Sequence, residues 1–526
     1  MQLLSFIGFT LLVAVISYYK SRKTNESTSD GYFLGGRSLT GVVVAGSLLL
    51  TNLSTEQIVG LNGAAFKEGI LVMAWETIAA IAMVITALYL LPRYLMGGIT
   101  TIPQFLERRY DKFTKTLTSV LFLSGYVVVL LPIVLYSGAL AINTMFDVPT
   151  LLGVSHTAAL WITVFGIGII GSIYAIFGGL KAVAVSDTVN AVGLIIGGLM
   201  IPIFGLLAVG HGNVFDGLST IVSSHPEKFH SLGGPKASVP FGTIFTGMLL
   251  VNLFYWGTNQ AIIQRALGAK NLKEGQKGLL LAAFIKILGP LIVVLPGIIA
   301  FHMFGDTLQN PDQAYPTLIT KVLPASLVGF FAAVLFGAIL SSFNSALNSS
   351  VTLFGVDIYK SHFKKDATEL ETVKAGKTFG IILAILSMMI APLIANAPDG
   401  LFGYLQKVNG CYSIPILTII VVGYLTKYVP ALAAKVAMGL GVFLYLAYIL
   451  IDQFVLPETF PHYLHVMAIL FVFNALVMLI IGKLKPRETP YVPYKSNAVD
   501  ITPWRYVGIV GTVICLIVIG IYIYFA

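Results

Sequence analysis

The residues of this sequence that could do chemistry are a few polar side chains set inside long apolar runs. The stretch Asn52-Leu-Ser-Thr-Glu-Gln57 places Asn52, Ser54, Thr55, Glu56 and Gln57 in the middle of one such run. A continuous lipid-facing helix does not look like this, because hydrocarbon offers no partner to amides and carboxylates. Asn252-Leu-Phe-Tyr-Trp-Gly-Thr-Asn-Gln260 is a second polar, glycine-containing interruption, and Glu76, Lys286 and Gln406 with Lys407 add single groups. An unpaired carboxylate or ammonium in a bilayer costs about 2.5–3.5 kcal/mol. Glu76 and Lys286 therefore read either as a structural ion pair or as a pair for a polyhydroxylated ligand, whose hydroxyls accept from ammonium and donate to carboxylate. Trp75, Tyr255, Trp256 and Phe402 lie beside these groups, and aromatic faces with amide hydrogen-bonders line sites for neutral polar ligands. The same aromatics could equally be packing. The run Gly337-Ala-Ile-Leu-Ser-Ser-Phe-Asn-Ser-Ala-Leu-Asn-Ser-Ser350 is rich in hydroxyls. It can offer oxygen ligands to a hard cation such as Na+, or simply back-bond and pack. Asp187, a buried carboxylate, could assist ion passage or pair locally.

These groups sit on elements that composition already specifies. Of 526 residues, 57% are hydrophobic and 10% charged, against about 25% charged in soluble domains. Fourteen largely apolar segments, numbered 1 to 14, begin near residues 2, 39, 71, 116, 156, 183, 239, 278, 323, 378, 400, 431, 464 and 504. At roughly 20 residues per span they use about 280 residues, which leaves loops but no soluble domain. Long continuous runs exclude an outer-membrane barrel, which needs short alternating segments. The expected fold is therefore an all-α polytopic membrane protein, one transmembrane domain over 1–526. Interrupted segments 2 and 7, five apart, match an inverted five-helix repeat with a midplane site; polar contacts between helices are the alternative. The longest soluble stretches are 209–238 and roughly 484–503.

The net charge of +9 is a topology signal. With alternating segments, 25 of the 32 Lys and Arg fall on one side and four (Lys67, Lys228, Lys236 and Lys321) on the other. Positive charge marks the cytoplasmic side, so both termini are expected outside, and nucleic acid becomes an unnecessary partner. Segment 1 is followed, not preceded, by Lys20, Arg22 and Lys23, the order of a retained helix rather than a cleaved signal. Cys411 and Cys515 lie within segments and suggest no disulfide framework. The eight histidines lie in loops or near segment ends, and no nucleophile constellation points to an enzyme.

Several stretches carry a family resemblance: Tyr32-Phe-Leu-Gly-Gly-Arg-Ser38, Asn52–Gln57, Thr101-Ile-Pro-Gln-Phe105 with Arg109-Tyr110, and Tyr174-Ala-Ile-Phe-Gly-Gly-Leu-Lys-Ala182. Asn252 to Arg265, Ala283-Phe-Ile-Lys286 and the Ser341-Ser342 run ending in Asp357-Ile-Tyr-Lys360 continue it in order. Over nearly its whole length the chain resembles the solute:sodium symporters, the sodium/glucose cotransporter family, and within it the bacterial sodium/sugar branch with its YidK-like members.

The resemblance implies a LeuT-like fold: an N-terminal extra helix and loop at 1–38, inverted repeats at 39–208 and 239–426, and extra helices at 427–526. It implies Na+ as coupling ion, held by the carbonyls of Leu50, Leu53 and Ala338 and the hydroxyls of Ser341 and Ser342. The implied sugar site comprises Gln57, Glu76, Asn252, Lys286 and Gln406, with Asn52 and Ser54 nearby. Tyr255, with Trp256 beside it, is the implied inner gate; Leu61, Trp75 and Phe402 form the outer one. Asp187 matches an acidic position linked to ion exit. Two positions depart from the family pattern: Trp75 replaces a gate tyrosine, and Ala79 replaces a serine one turn after Glu76. They bear on which solute is carried. A sugar is expected, imported across a bacterial cell membrane by a monomer. A sugar acid, inositol or amino acid, or a sensor that binds without transport, are the rivals. Lys286 would suit an acidic sugar, whereas Glu76 favours a neutral one.

Overall fold

The computed structural model describes residues 2–21, 27–396, 401–455 and 459–526. Among them the only regular elements are helices, joined by loops and turns, with a single parallel bridge between Leu39 and Ala269. Eleven helices are long and apolar enough to cross a membrane. Three shorter apolar helices, Leu4–Lys20, Gly41–Asn52 and Phe241–Gly257, bring the set into order with the fourteen sequence segments.

The helix of segment 2 stops where its sequence turns polar. Gly41–Asn52 ends at Leu53 (φ −77°, ψ 54°), Ser54 is extended, and a second helix runs Thr55–Glu68. Gly69, at φ +79°, then reverses the chain. It must be glycine, because a Cβ there would lie 2.3 Å from the Lys228 carbonyl oxygen. Segment 3 follows from Ala74 to Gly97, with a π turn at Thr86–Leu90.

Segment 7 breaks later than its polar stretch suggests. Phe241–Gly257 is helical through Asn252, and the interruption falls at Thr258 and Asn259 before Gln260–Leu267. Asn259 caps that last helix by accepting from the Ala261 N–H, and it also accepts from the Tyr126 hydroxyl at 2.7 Å. Segments 5 and 6 form one helical run, His156–Val209, broken in direction at Gly179 (φ +58°).

Segment 9, Ala325–Thr352, packs against segments 1, 5 and 6, while the first half of segment 2 packs against segments 6 and 8. Segment 14, Val507–Tyr524, lies outside them on segments 3 and 8. Exposed Ile381, Ile385, Met389, Ile480 and Leu516 give the outer helices the apolar surface a bilayer solvates.

Both long soluble stretches are structured. In 209–238 a helix, Val214–Ser224, leads to Lys228, whose Nζ donates to the carbonyls of Phe66 and Lys67 and so caps the helix Thr55–Glu68. The stretch 484–503 is a strap tied across the opposite face: Arg487 N donates to Tyr428 O, Tyr491 N to Lys427 O and Ser496 N to Met96 O.

Candidate functional site

The break in segment 2 sends neighbouring residues in two directions. Toward segment 8, Lys286 Nζ lies 2.5 Å from Glu76 Oε2 and donates to Asn52 Oδ1 at 2.5 Å. Gln57 Nε2 donates to Glu76 Oε1 at 2.5 Å, and Asn52 Nδ2 donates to Gln57 Oε1 at 3.3 Å. The four side chains close a ring in which the ammonium faces a carboxylate and an amide oxygen. The ion pair has no exposed side-chain surface. Gly289, one turn after Lys286, makes room for it: a Cβ there would stand 2.3 Å from Glu76 Oε2.

Beside the ring lies a cavity of about 30 Å3 lined by Asn52, Gln57, Trp75, Asn252, Tyr255 and Gln406, among others. A single water needs roughly 10–15 Å3, so the space holds water but no sugar. Trp256 also lines it, with Lys286 Nζ 5.8 Å from its ring centre. Glu76 and Lys286 lie behind this wall rather than on it. Asn252 turns back to donate to the Met248 carbonyl. Ser54 lies in the break, and Leu61 is fully buried away from the lining. The side chain of Phe402 lies outside the described residues. Lys407, next to Gln406 in sequence, points elsewhere and pairs with Asp452 at 2.8 Å.

Toward segment 9, Ser342 Oγ donates to the Thr51 carbonyl at 2.8 Å. The Thr51 hydroxyl lies 3.3 Å from Ser341 Oγ and 3.0 Å from Ser345 Oγ. Leu50 and Leu53 flank this contact in sequence, and Ala338 lies one turn before Ser341 and Ser342. The donors are hydroxyls and carbonyls, the oxygen chemistry a hard cation takes. Asp187 adjoins them, accepting from Ser47 Oγ at 2.6 Å and bonded to Ser341. Asp187 and Ser341 both line a cavity of about 280 Å3 between segments 1, 5, 6 and 9.

Sequence reasoning missed two members of this patch. Thr51 is an ordinary threonine until the helix ends beneath it, and its signal was its place in the last turn before the break. Arg265, fully buried, donates to Ala261 O at 2.6 Å and to Ser345 Oγ. Its sequence place near a loop gave no sign of this.

The model of the sodium:solute symporter family matches residues 32–441. The chain belongs to that family. It is 51% identical over 522 residues to the uncharacterized symporter YidK of Escherichia coli (strain K12), covering 99% of this chain and 90% of that one. It is 34% identical over 454 residues to the sodium/glucose cotransporter of Vibrio parahaemolyticus, covering 81% of each. Among solved structures, it superposes on a Na+-coupled sialic acid symporter in a substrate-bound outward-open state with TM-score 0.76. That match has 19% sequence identity and covers 93% of this chain and 98% of the other. The fold is thus that of the LeuT-like transporters. This multi-pass membrane protein is a sodium-coupled solute symporter, with Na+ as its coupling ion, and not an enzyme.

Proposed function

We propose that this symporter imports a neutral sugar, or a similar polyhydroxylated solute, together with Na+ by alternating access. One observation carries the reading: at the break in segment 2, Thr51 reaches the hydroxyls of segment 9 while Asn52 reaches the Lys286–Glu76 pair. Adjacent residues of the last helical turn before the break thereby connect the candidate ion site to the candidate solute site.

Na+ bound by Ser341 and Ser342 and by the carbonyls of Leu50, Leu53 and Ala338 replaces the Ser342–Thr51 hydrogen bond. The ion then holds segments 2 and 9 together and fixes the unwound residues. Solute hydroxyls enter the ring in place of the amides, accepting from Lys286 and donating to Glu76, with Gln57, Asn252 and Gln406 at the rim. Because Lys286 and Glu76 neutralise each other, no net charge waits for an anionic solute, which favours a neutral sugar over a sugar acid. The small cavity must widen on entry, with Tyr255 and Trp256 as the inner barrier and Leu61, Trp75 and Phe402 as the outer one. Asp187, which lines the 280 Å3 cavity together with Ser341 of the hydroxyl patch, would assist ion release through it.

Segments 2–6 and 7–11 are taken as the inverted repeats, all fourteen segments as spans, and both termini as outside, supported by the 25-to-4 distribution of basic residues. One Na+ moving down 100 mV and a tenfold gradient supplies about 2.3 plus about 1.4 kcal/mol, enough for several-hundredfold accumulation.

The test is uptake into proteoliposomes under an inward Na+ gradient, across a panel of labelled sugars, inositols and sugar acids. Concentrative uptake of a neutral sugar that stops when K+ replaces Na+ is expected. Uptake confined to sugar acids, or uptake as fast in K+ as in Na+, would overturn the assignment.

A further inference from the structure

A cavity of about 110 Å3 opens between the end of segment 3, the helix Ile102–Arg109, the end of segment 11 and the strap around residues 491–494. Arg93, Arg108 and Lys427 line it. None of the three forms an ion pair among the described residues. The acidic residues nearest Arg108 in sequence are engaged elsewhere, Glu107 with Lys115 at 2.7 Å and Asp111 with Lys435 at 2.5 Å. Each guanidinium has one recorded carbonyl partner, Tyr89 O for Arg93 and Gly97 O for Arg108, and lies over a ring, Tyr424 and Tyr494 respectively.

A second observation is independent of these charges. The hydroxyls of Tyr94 and Tyr424 are buried, have no hydrogen-bond partner, and belong to residues that line the cavity; Tyr94 is 1% exposed. Buried hydroxyls normally find a partner, and here the cavity is the place from which one can come. Aromatic walls focus the field of the three cations. Guanidinium forks and phenol O–H groups together offer donors to an acceptor-rich, compact anion, and arginine's planar fork matches phosphate oxygens in pairs. At the roughly 10–15 Å3 that one enclosed water needs, the space holds several waters, room for a compact group such as a phosphate.

We propose that this cavity binds a phosphate group, carried either by a small soluble phosphate ester or by an anionic phospholipid headgroup. The strap forms part of the site, since Tyr491 N and Ser496 N are hydrogen-bonded to Lys427 and Met96 on its two sides. A bound anion would pin the ends of segments 3 and 11, the segments that carry Trp75, Glu76 and Gln406.

The test reads binding alone, so it stands apart from the solute assignment. The full chain, purified in detergent and stripped of lipid, is melted with increasing inorganic phosphate at fixed ionic strength balanced by chloride. In parallel it is melted in nanodiscs of phosphatidylcholine with and without phosphatidylglycerol. A saturable rise in melting temperature with phosphate assigns a soluble source, and a rise only with phosphatidylglycerol assigns the headgroup. In either case Tyr94→Phe, which keeps the ring, should weaken the midpoint about threefold, the effect of one lost hydrogen bond. Arg93→Gln/Arg108→Gln should abolish the response. No rise in either arm, or the same rise in Tyr94→Phe as in the unmodified chain, would overturn the proposal.

Discussion

At the scale of single residues, the ring of Asn52, Lys286, Glu76 and Gln57 is where polarity in the bilayer is both satisfied and available. Removing one buried ion partner strands the other, at a cost of about 3–5 kcal/mol. Lys286→Met should therefore lower thermal stability by that order, whereas Glu76→Gln/Lys286→Met should recover most of it without recovering Na+-driven uptake. Stability and transport would then separate, which a purely structural pair does not predict. Gly289→Ala places a methyl 2.3 Å from Glu76 Oε2. Melting and uptake measurements should show a loss of about 1–3 kcal/mol from overpacking, and with it transport. Glu76 and Lys286 were legible in the sequence because charge inside an apolar run is costly wherever it occurs. Gly289 and Thr51 were not, because each acquires its role only when a second helix approaches.

At the scale of elements, helix ends rather than helix lengths position the site. The break of segment 2 was legible from Asn52–Gln57, whose amides and hydroxyls compete with a helical backbone. The polar stretch of segment 7 misled as to place: its helix runs on past Asn252 and ends at Thr258, where Asn259 can cap the next helix. Asn259→Ala removes that cap and the acceptor of the Tyr126 hydroxyl, so thermal melting should show a loss of about 1–2 kcal/mol. Arg109 has a comparable task. Fully buried, it donates to the carbonyls of Gly423, Thr426 and Val429, holding the C-terminal end of segment 11. An ammonium cannot span three carbonyls as the guanidinium does, so Arg109→Lys should lower the melting temperature markedly. Arg109 helped carry the family resemblance, yet the contacts it makes are structural.

At the scale of the whole molecule, the order of the apolar helices was readable because long apolar runs leave few alternatives, while the sides proposed for them rest on the distribution of basic residues. The structured stretch 209–238 and the strap were not readable, since their order comes from long-range contacts such as Lys228 with Phe66 and Ser496 with Met96. The orientation predicts that, with both native cysteines replaced by serine, Lys236→Cys reacts with an impermeant maleimide on intact cells. Lys495→Cys should react only after permeabilisation.

In the proposed mechanism the ion and solute sites meet at Thr51 and Asn52, adjacent residues of the last turn before the break, so their affinities must be coupled and the coupling reciprocal. The most direct test is equilibrium binding of the transported sugar in saturating Na+ and in K+, alongside Na+ titrations with and without that sugar. Each ligand should tighten the other by the same factor, at least about fivefold, and Ser342→Ala should reduce that coupling toward one. Equal sugar affinity in Na+ and K+ would contradict it.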